Sequence, residues 1–151
     1  MKLTTKGRYA VMAMADLASY ANEGPISLTE ISLRQKISLP YLEQLFFKLK
    51  NKELVKSVRG SNGGYTLHKP ASEIKLSNII FAVDENVKTL NCKKESKKGC
   101  NHKSVKCITH NLWDDLENHI NSFFEKNTLK DIIFKVAKDK QRELNSWNNK
   151  N

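Results

Sequence analysis

The stretch Glu53–Lys69 reads ELVKSVRGSNGGYTLHK. Leu54, Lys56 and Val58 alternate along its first half, and Gly60, Gly63 and Gly64 crowd its middle. Tyr65 and Leu67 then resume the alternation. Two alternating runs joined by a glycine-rich tip predict a β-hairpin over about 54–67. These glycines do not form a nucleotide-binding loop. They follow no strand-to-helix transition, and no Lys-Ser or Lys-Thr pair stands at the required offset.

Upstream, three helices are expected. Ala10, Ala13, Met14, Leu17, Ala18 and Ala21 recur on one helical face, predicting a first helix over about Gly7 to Tyr20. Its small residues suit close packing against another helix. NEGP at Asn22–Pro25 breaks the chain. Ser27 and Glu30 then form a capping box that opens a second helix, ending near Gln35. After a turn, Ser38 is placed to cap a third helix over about Leu39 to Asn51, with Pro40 tolerated in its first turn. That helix repeats Leu42, Leu45, Phe46 and Leu49 at core spacing and leaves Tyr41, Glu43, Gln44, Lys48 and Asn51 on its other face.

Two short helices joined by a tight turn, over about 28–51, read as a helix-turn-helix. With the hairpin added as a wing, the order is that of a winged helix. The fold class is therefore mainly α with a small β-hairpin: a winged helix-turn-helix over 1–75. Gln44 can pair with adenine and Glu43 can accept from cytosine. Lys48, Lys6, Arg8 and Ser38 suit phosphates. Arg59, Ser61 and Asn62 at the wing tip are short or flat groups able to enter a minor groove.

Charge supports that partner. The 151 residues carry a formal net charge of +10, which points to a polyanion. The winged-helix order favours double-stranded DNA over RNA or an anionic membrane surface. No apolar run approaches the ~18 residues needed to span a bilayer. The opening MKLTTKGRYA has no hydrophobic secretory core, and an odd cysteine count suits a reducing compartment. The expectation is a cytoplasmic protein without membrane association.

Residues 76–137 form the second region. A fourth helix is expected near Leu76 to Val83, with Leu76, Ile79, Ile80 and Val83 on one face. After it come Cys92, Cys100 and Cys107, all of the chain's cysteines, within a lysine-rich loop. Cys107 and His110 stand at i, i+3, neighbouring positions if a helix begins there. Three cysteines and a histidine make four donors, enough for a tetrahedral metal or an iron–sulfur centre. The spacing, with seven and then six residues between cysteines, is too long for a zinc-ribbon knuckle. It does not choose between zinc and iron–sulfur.

Cys107 and His110 could also be a nucleophile and base. No oxyanion turn or substrate-pocket signal accompanies them, so no enzyme is expected. From about Thr109 a long helix carries Trp113, Leu116, Ile120, Phe123 and Phe124 in an apolar stripe too large for the remaining core to cover. It reads as a homodimer interface, with packing inside the chain as the plainer reading. A last helix restarts at Thr128. The polar tail over 138–151 is expected to fray.

Six segments together resemble one known family: LTTKGRYAV (Leu3–Val11), ISLPYLEQLF (Ile37–Phe46), LVKSVRG (Leu54–Gly60), GGY (Gly63–Tyr65), AVDE (Ala82–Glu85) and CITHNLWDDL (Cys107–Leu116). Over about Met1 to Ile133 the chain is similar to the Rrf-type family of winged-helix repressors. The cysteines and the Cys-x-x-His spacing resemble that family's iron–sulfur-sensing branch. The resemblance implies that Cys92, Cys100, Cys107 and His110 bind a [2Fe-2S] cluster. It also implies that the helix after His110 forms a homodimer interface. Tyr41, Glu43, Gln44 and Arg59 match positions that contact the DNA operator, and Glu43 matches one that makes binding to one operator class depend on the cluster.

The implied activity is repression of cluster-assembly genes in the cluster-bound state. A same-fold repressor responding to nitric oxide, redox state or zinc is the alternative. Pro40, Phe47, Ser61-Asn62 and the longer, more basic ligand loop depart from the family pattern.

Overall fold

The computed structural model of the chain describes residues 4–88 and 106–148. Helices α1 (Thr5–Ser19), α2 (Leu28–Gln35) and α3 (Leu39–Asn51) precede the antiparallel strands β1 (Val55–Val58) and β2 (Gly64–Leu67). Helices α4 (Leu76–Ala82), α5 (His110–Lys126) and α6 (Leu129–Asn148) follow. This is the expected winged helix-turn-helix with further helices after it.

Helix α1 begins earlier than its apolar repeat suggests. Thr4 is extended and its hydroxyl accepts from the Lys6 N–H at 3.3 Å, a cap that starts the helix at Thr5. Lys6 therefore joins Arg8 inside the first turn rather than preceding the helix. Ala10, Ala13, Met14 and Leu17 are buried, and these small or flexible side chains let α1 pack against α2, α3, α4 and α6.

Both halves of the capping box form at α2. The Glu30 N–H meets Ser27 Oγ at 3.3 Å and the Ser27 N–H meets Glu30 Oε2 at 2.8 Å. Lys36 at φ 57° then ends the helix in a left-handed turn. Helix α3 has the expected bounds and buries Leu42, Leu45, Phe46 and Leu49. Ser38 occupies its N-cap position, but the Ser38 side chain makes no capping hydrogen bond. Pro40 contributes to this: at the second helical position it removes one of the two N–H groups that a capping hydroxyl can reach.

One anchor between α1 and α2 was not foreseen. Asp16 is 4% exposed and accepts from Arg34 at 2.7 Å and from Gln35 at 2.7 Å. The Arg34 guanidinium also lies 4.0 Å from the Tyr20 ring centroid. A buried carboxylate is tolerated here because donors meet both of its oxygens.

The wing pairs Val55 with Leu67 through to Val58 with Gly64. Ile26, in the NEGP-to-α2 connection, adds a single bridge on the far side of β2, its N–H reaching the Tyr65 carbonyl at 3.0 Å. Gly64 is needed at this junction, since a Cβ there would stand 2.4 Å from the Ile26 carbonyl oxygen. Phe46 and Tyr65 meet edge-on at 4.9 Å, and Lys50 Nζ donates to Ser57 Oγ at 2.7 Å. These contacts fix the wing against α3.

The expected frayed tail is instead helical through Asn148. Residues 138–148 are rich in Lys, Gln, Arg, Glu and Leu, all good helix formers. Asp139–Arg142 and Gln141–Asn145 add side-chain pairs along the surface. Leu129 is buried, and α6 packs across α1. No helix among the described residues is long and apolar enough to cross a membrane.

Candidate nucleic-acid interface and metal-ligand turn

The exposed side of α3 is built from residues that the core does not claim. Glu43 and Gln44 are exposed, Tyr41 and Lys48 half-buried. Tyr41 is steadied by an edge-on contact with Tyr9 at 5.9 Å, and its hydroxyl lies 3.5 Å from Thr5 Oγ1. The start of α1, with exposed Lys6 and Arg8, is thereby held beside the start of α3. Ser38 is exposed at the α3 N-cap, its hydroxyl not spent on capping. On the wing, Arg59, Ser61 and Asn62 are all exposed. The structure thus places Ser38, Tyr41, Glu43 and Gln44 on the first half of α3, with the start of α1 held beside Tyr41 and the wing packed directly against the helix.

Lys48 differs from the expectation of a free phosphate contact. Its ammonium donates to Asp84 Oδ2 at 2.6 Å. That hydrogen bond is the main cause holding the Asp84 carboxyl below the usual carboxylate range, with the charges of Lys48, Lys6 and Lys52 adding to it.

Asp84 reaches this position through the end of α4. The Asp84 N–H bonds the Phe81 carbonyl at 3.1 Å and the Glu85 N–H bonds the Ile80 carbonyl at 3.2 Å. This is a Schellman cap, with Asp84 at φ 56° where glycine is commoner. The reversal sends Asp84 to α3 and Glu85 to α1. Glu85 is 7% exposed and accepts from the backbone N–H groups of Thr4 and Gly7, two orphan donors of the α1 amino terminus. Sequence reading missed both roles. One signal was present: two acids directly after a helix carboxyl end oppose the helix dipole and so call for partners elsewhere.

Cys107 and His110 are brought together by a turn rather than by a shared helix. The His110 N–H donates to the Cys107 carbonyl at 3.0 Å, and α5 begins only at His110. Thr109 occupies the N-cap position of α5, which leaves Cys107 two residues ahead of the cap and outside the helix. His110 is 7% exposed and Cys107 half-buried. Cys92 and Cys100 lie outside the described residues. A thiol and an imidazole on one tight turn fit part of the donor set of an iron–sulfur centre or zinc.

The apolar stripe on α5 is divided. Phe124 packs against the core and meets Phe123 edge-on at 6.0 Å, and Leu116 and Ile120 are half-buried. Trp113 and Phe123 remain 42% and 54% exposed. Within the chain α5 packs chiefly on α4, while α4 and α6 both cover α1.

The chain matches a family model described as Rrf2, iron-dependent transcriptional regulator, over residues 3–135. It is 50% identical over 133 residues to the HTH-type transcriptional regulator IscR of Photorhabdus laumondii, covering 88% of this chain and 79% of that protein. Among solved structures it resembles IscR of T. potens, with a TM-score of 0.72 and 36% identity over 90% of this chain and 88% of that one. It also resembles CymR, the global cysteine regulator of B. subtilis, with a TM-score of 0.76 and 30% identity over 89% and 98%.

Proposed function

Because the chain belongs to the Rrf2 family of transcriptional regulators, we propose that it is an iron–sulfur-cluster-sensing repressor of cluster-assembly genes. The family is one of DNA-binding regulators rather than enzymes. The observation that carries the finer reading is the turn uniting Cys107 with His110, in a chain whose other cysteines, Cys92 and Cys100, fall in the segment just before it. These four residues would hold a [2Fe-2S] cluster, a group whose presence reports oxidant load and cluster supply.

In this reading, α3 enters the major groove. Gln44 and Glu43 face base edges, Tyr41, Ser38, Lys6 and Arg8 face phosphates, and Arg59, Ser61 and Asn62 approach the minor groove. Trp113, Leu116, Ile120, Phe123 and Phe124 on α5 form the homodimer interface, with Trp113 and Phe123 supplying the apolar area that the protomer leaves uncovered. The protein works in the cytoplasm.

Coupling between ligand segment and DNA surface would run through Asp84 and Glu85. Both sit at the end of α4, where the chain leaves its contacts with α3 and α1 and heads toward the ligand segment. Allosteric couplings of this kind are about 1–3 kcal/mol, one to two orders of magnitude in operator occupancy. The test is the affinity of anaerobically purified protein for one operator duplex before and after chelation of its iron. Equal affinities in the two states would contradict a sensing role. A repressor responding to zinc, redox state or nitric oxide is the second reading, favoured by the same Cys–His turn, and metal identity separates the two.

A further inference from the structure

Phe47 is an apolar side chain on a face that it shares with Glu43, Gln44 and Lys48. It is 65% exposed. With Pro40, Glu43, Gln44 and Lys48 it lines one shallow groove on α3. At 3.6 residues per turn it lies about 150° round the helix from the buried stripe of Leu42, Leu45, Phe46 and Leu49. Glu43 and Gln44, the two base-reading candidates, flank it.

A lone exposed phenylalanine is common enough on protein surfaces to need no explanation by itself. Its position is what matters here. A helix entering the major groove presents this face to the base edges, and the one apolar group there is the C5-methyl of thymine. Glutamate and glutamine on either side can satisfy only hydrogen-bonding edges. We infer that Phe47 is a specificity-determining residue that reads a pyrimidine C5-methyl in the operator, next to the bases read by Glu43 and Gln44. The inference rests on the DNA-binding reading above and deepens it. Because the recognised group is the methyl rather than the base, thymine and 5-methylcytosine are equivalent to Phe47, while uracil and cytosine are not.

The test uses the full chain and its Phe47→Ala variant. Bound sites are first selected by the wild-type protein from a randomised duplex library. Each thymine of one half-site is then replaced singly by deoxyuridine, and each cytosine by 5-methylcytosine. Burial of one methyl predicts that one uracil replacement weakens wild-type binding about fourfold. Phe47→Ala should bind the parent site more weakly and be indifferent to that same replacement. Phe47→Leu should keep part of the sensitivity. Uracil tolerated at every position by the wild type, or equal sensitivity in wild type and Phe47→Ala, overturns the inference and leaves DNA binding standing. Failure of the wild type to enrich any duplex sequence overturns both.

Discussion

Asp84, at the reversal that ends α4, clamps Lys48 on the exposed side of α3 through a 2.6 Å ion pair. The acid thus occupies one cation of the proposed DNA face, and it stands among Lys6, Lys48 and Lys52.

Asp84→Asn should therefore tighten binding to any duplex and steepen the salt dependence by about 0.9 in the log–log slope, the share of one phosphate contact. Titrating binding between low and high salt measures both. The pair's contribution is fully present above the ordinary carboxylate range, because the Asp84 carboxyl is held below that range, and it is lost only as pH falls through the depressed value. Between about pH 6 and 8, by this sign, acidification should not reproduce the effect of Asp84→Asn. Unchanged affinity and slope in the variant would show that the ion pair is incidental, as many surface pairs are.

Gly7 touches Glu85 so closely that an added Cβ would stand 2.1 Å from Oε2 and 2.9 Å from Ile80 Cδ1. Gly7→Ala should push the carboxylate off the α1 amino terminus, away from the backbone N–H groups of Thr4 and Gly7. The expected cost is about 1–3 kcal/mol, read as a lower urea midpoint at constant m-value. A variant as stable as the parent would mean that Glu85 relaxes freely.

Asp16 presents a different case, a buried carboxylate whose partner still reaches water. The Asp16 side chain is 1% exposed and that of Arg34 29%. Asp16→Ala should destabilise by about 3 kcal/mol, the low end for a broken buried pair, because Arg34 can be rehydrated. Equilibrium urea unfolding checks the size. A loss below about 1 kcal/mol would place this pair with ordinary surface bridges.

On the proposed DNA face, Glu43 and Arg59 should fail in different ways. A carboxylate in the groove costs affinity unless a cytosine amino group meets it, so Glu43→Ala should relax sequence preference without abolishing binding. Arg59→Ala should weaken binding to all sequences and reduce the salt slope by about 0.9. Binding isotherms on selected and scrambled duplexes separate the two patterns. Uniform weakening by Glu43→Ala would remove its assigned role.

Local signals were readable in the sequence. The Ser27–Glu30 capping box, the bounds of α3 and the wing all depend on neighbours within a few residues, and the structure has them where expected. Contacts between distant segments were not readable. Asp84 meets Lys48 across 36 residues, Glu85 meets Gly7 across 78, and Asp16 meets Arg34 across 18. Nothing in composition or periodicity names such partners. Where two local readings shared one pattern, the sequence was ambiguous. An i, i+3 spacing fits either a helix or a turn, and Cys107–His110 is a turn. A polar tail fits either fraying or an exposed helix, and residues 138–148 are helical.

The proposed sensing depends on an iron–sulfur cluster held by Cys92, Cys100, Cys107 and His110. Anaerobic purification followed by iron, acid-labile sulfide and zinc analysis, with a visible absorption spectrum, tests it most directly. About two irons and about two sulfides per chain are expected, lost on His110→Ala or on substitution of any of the three cysteines. Stoichiometric zinc without sulfide would contradict it, leaving a DNA-binding regulator whose cysteines serve another signal.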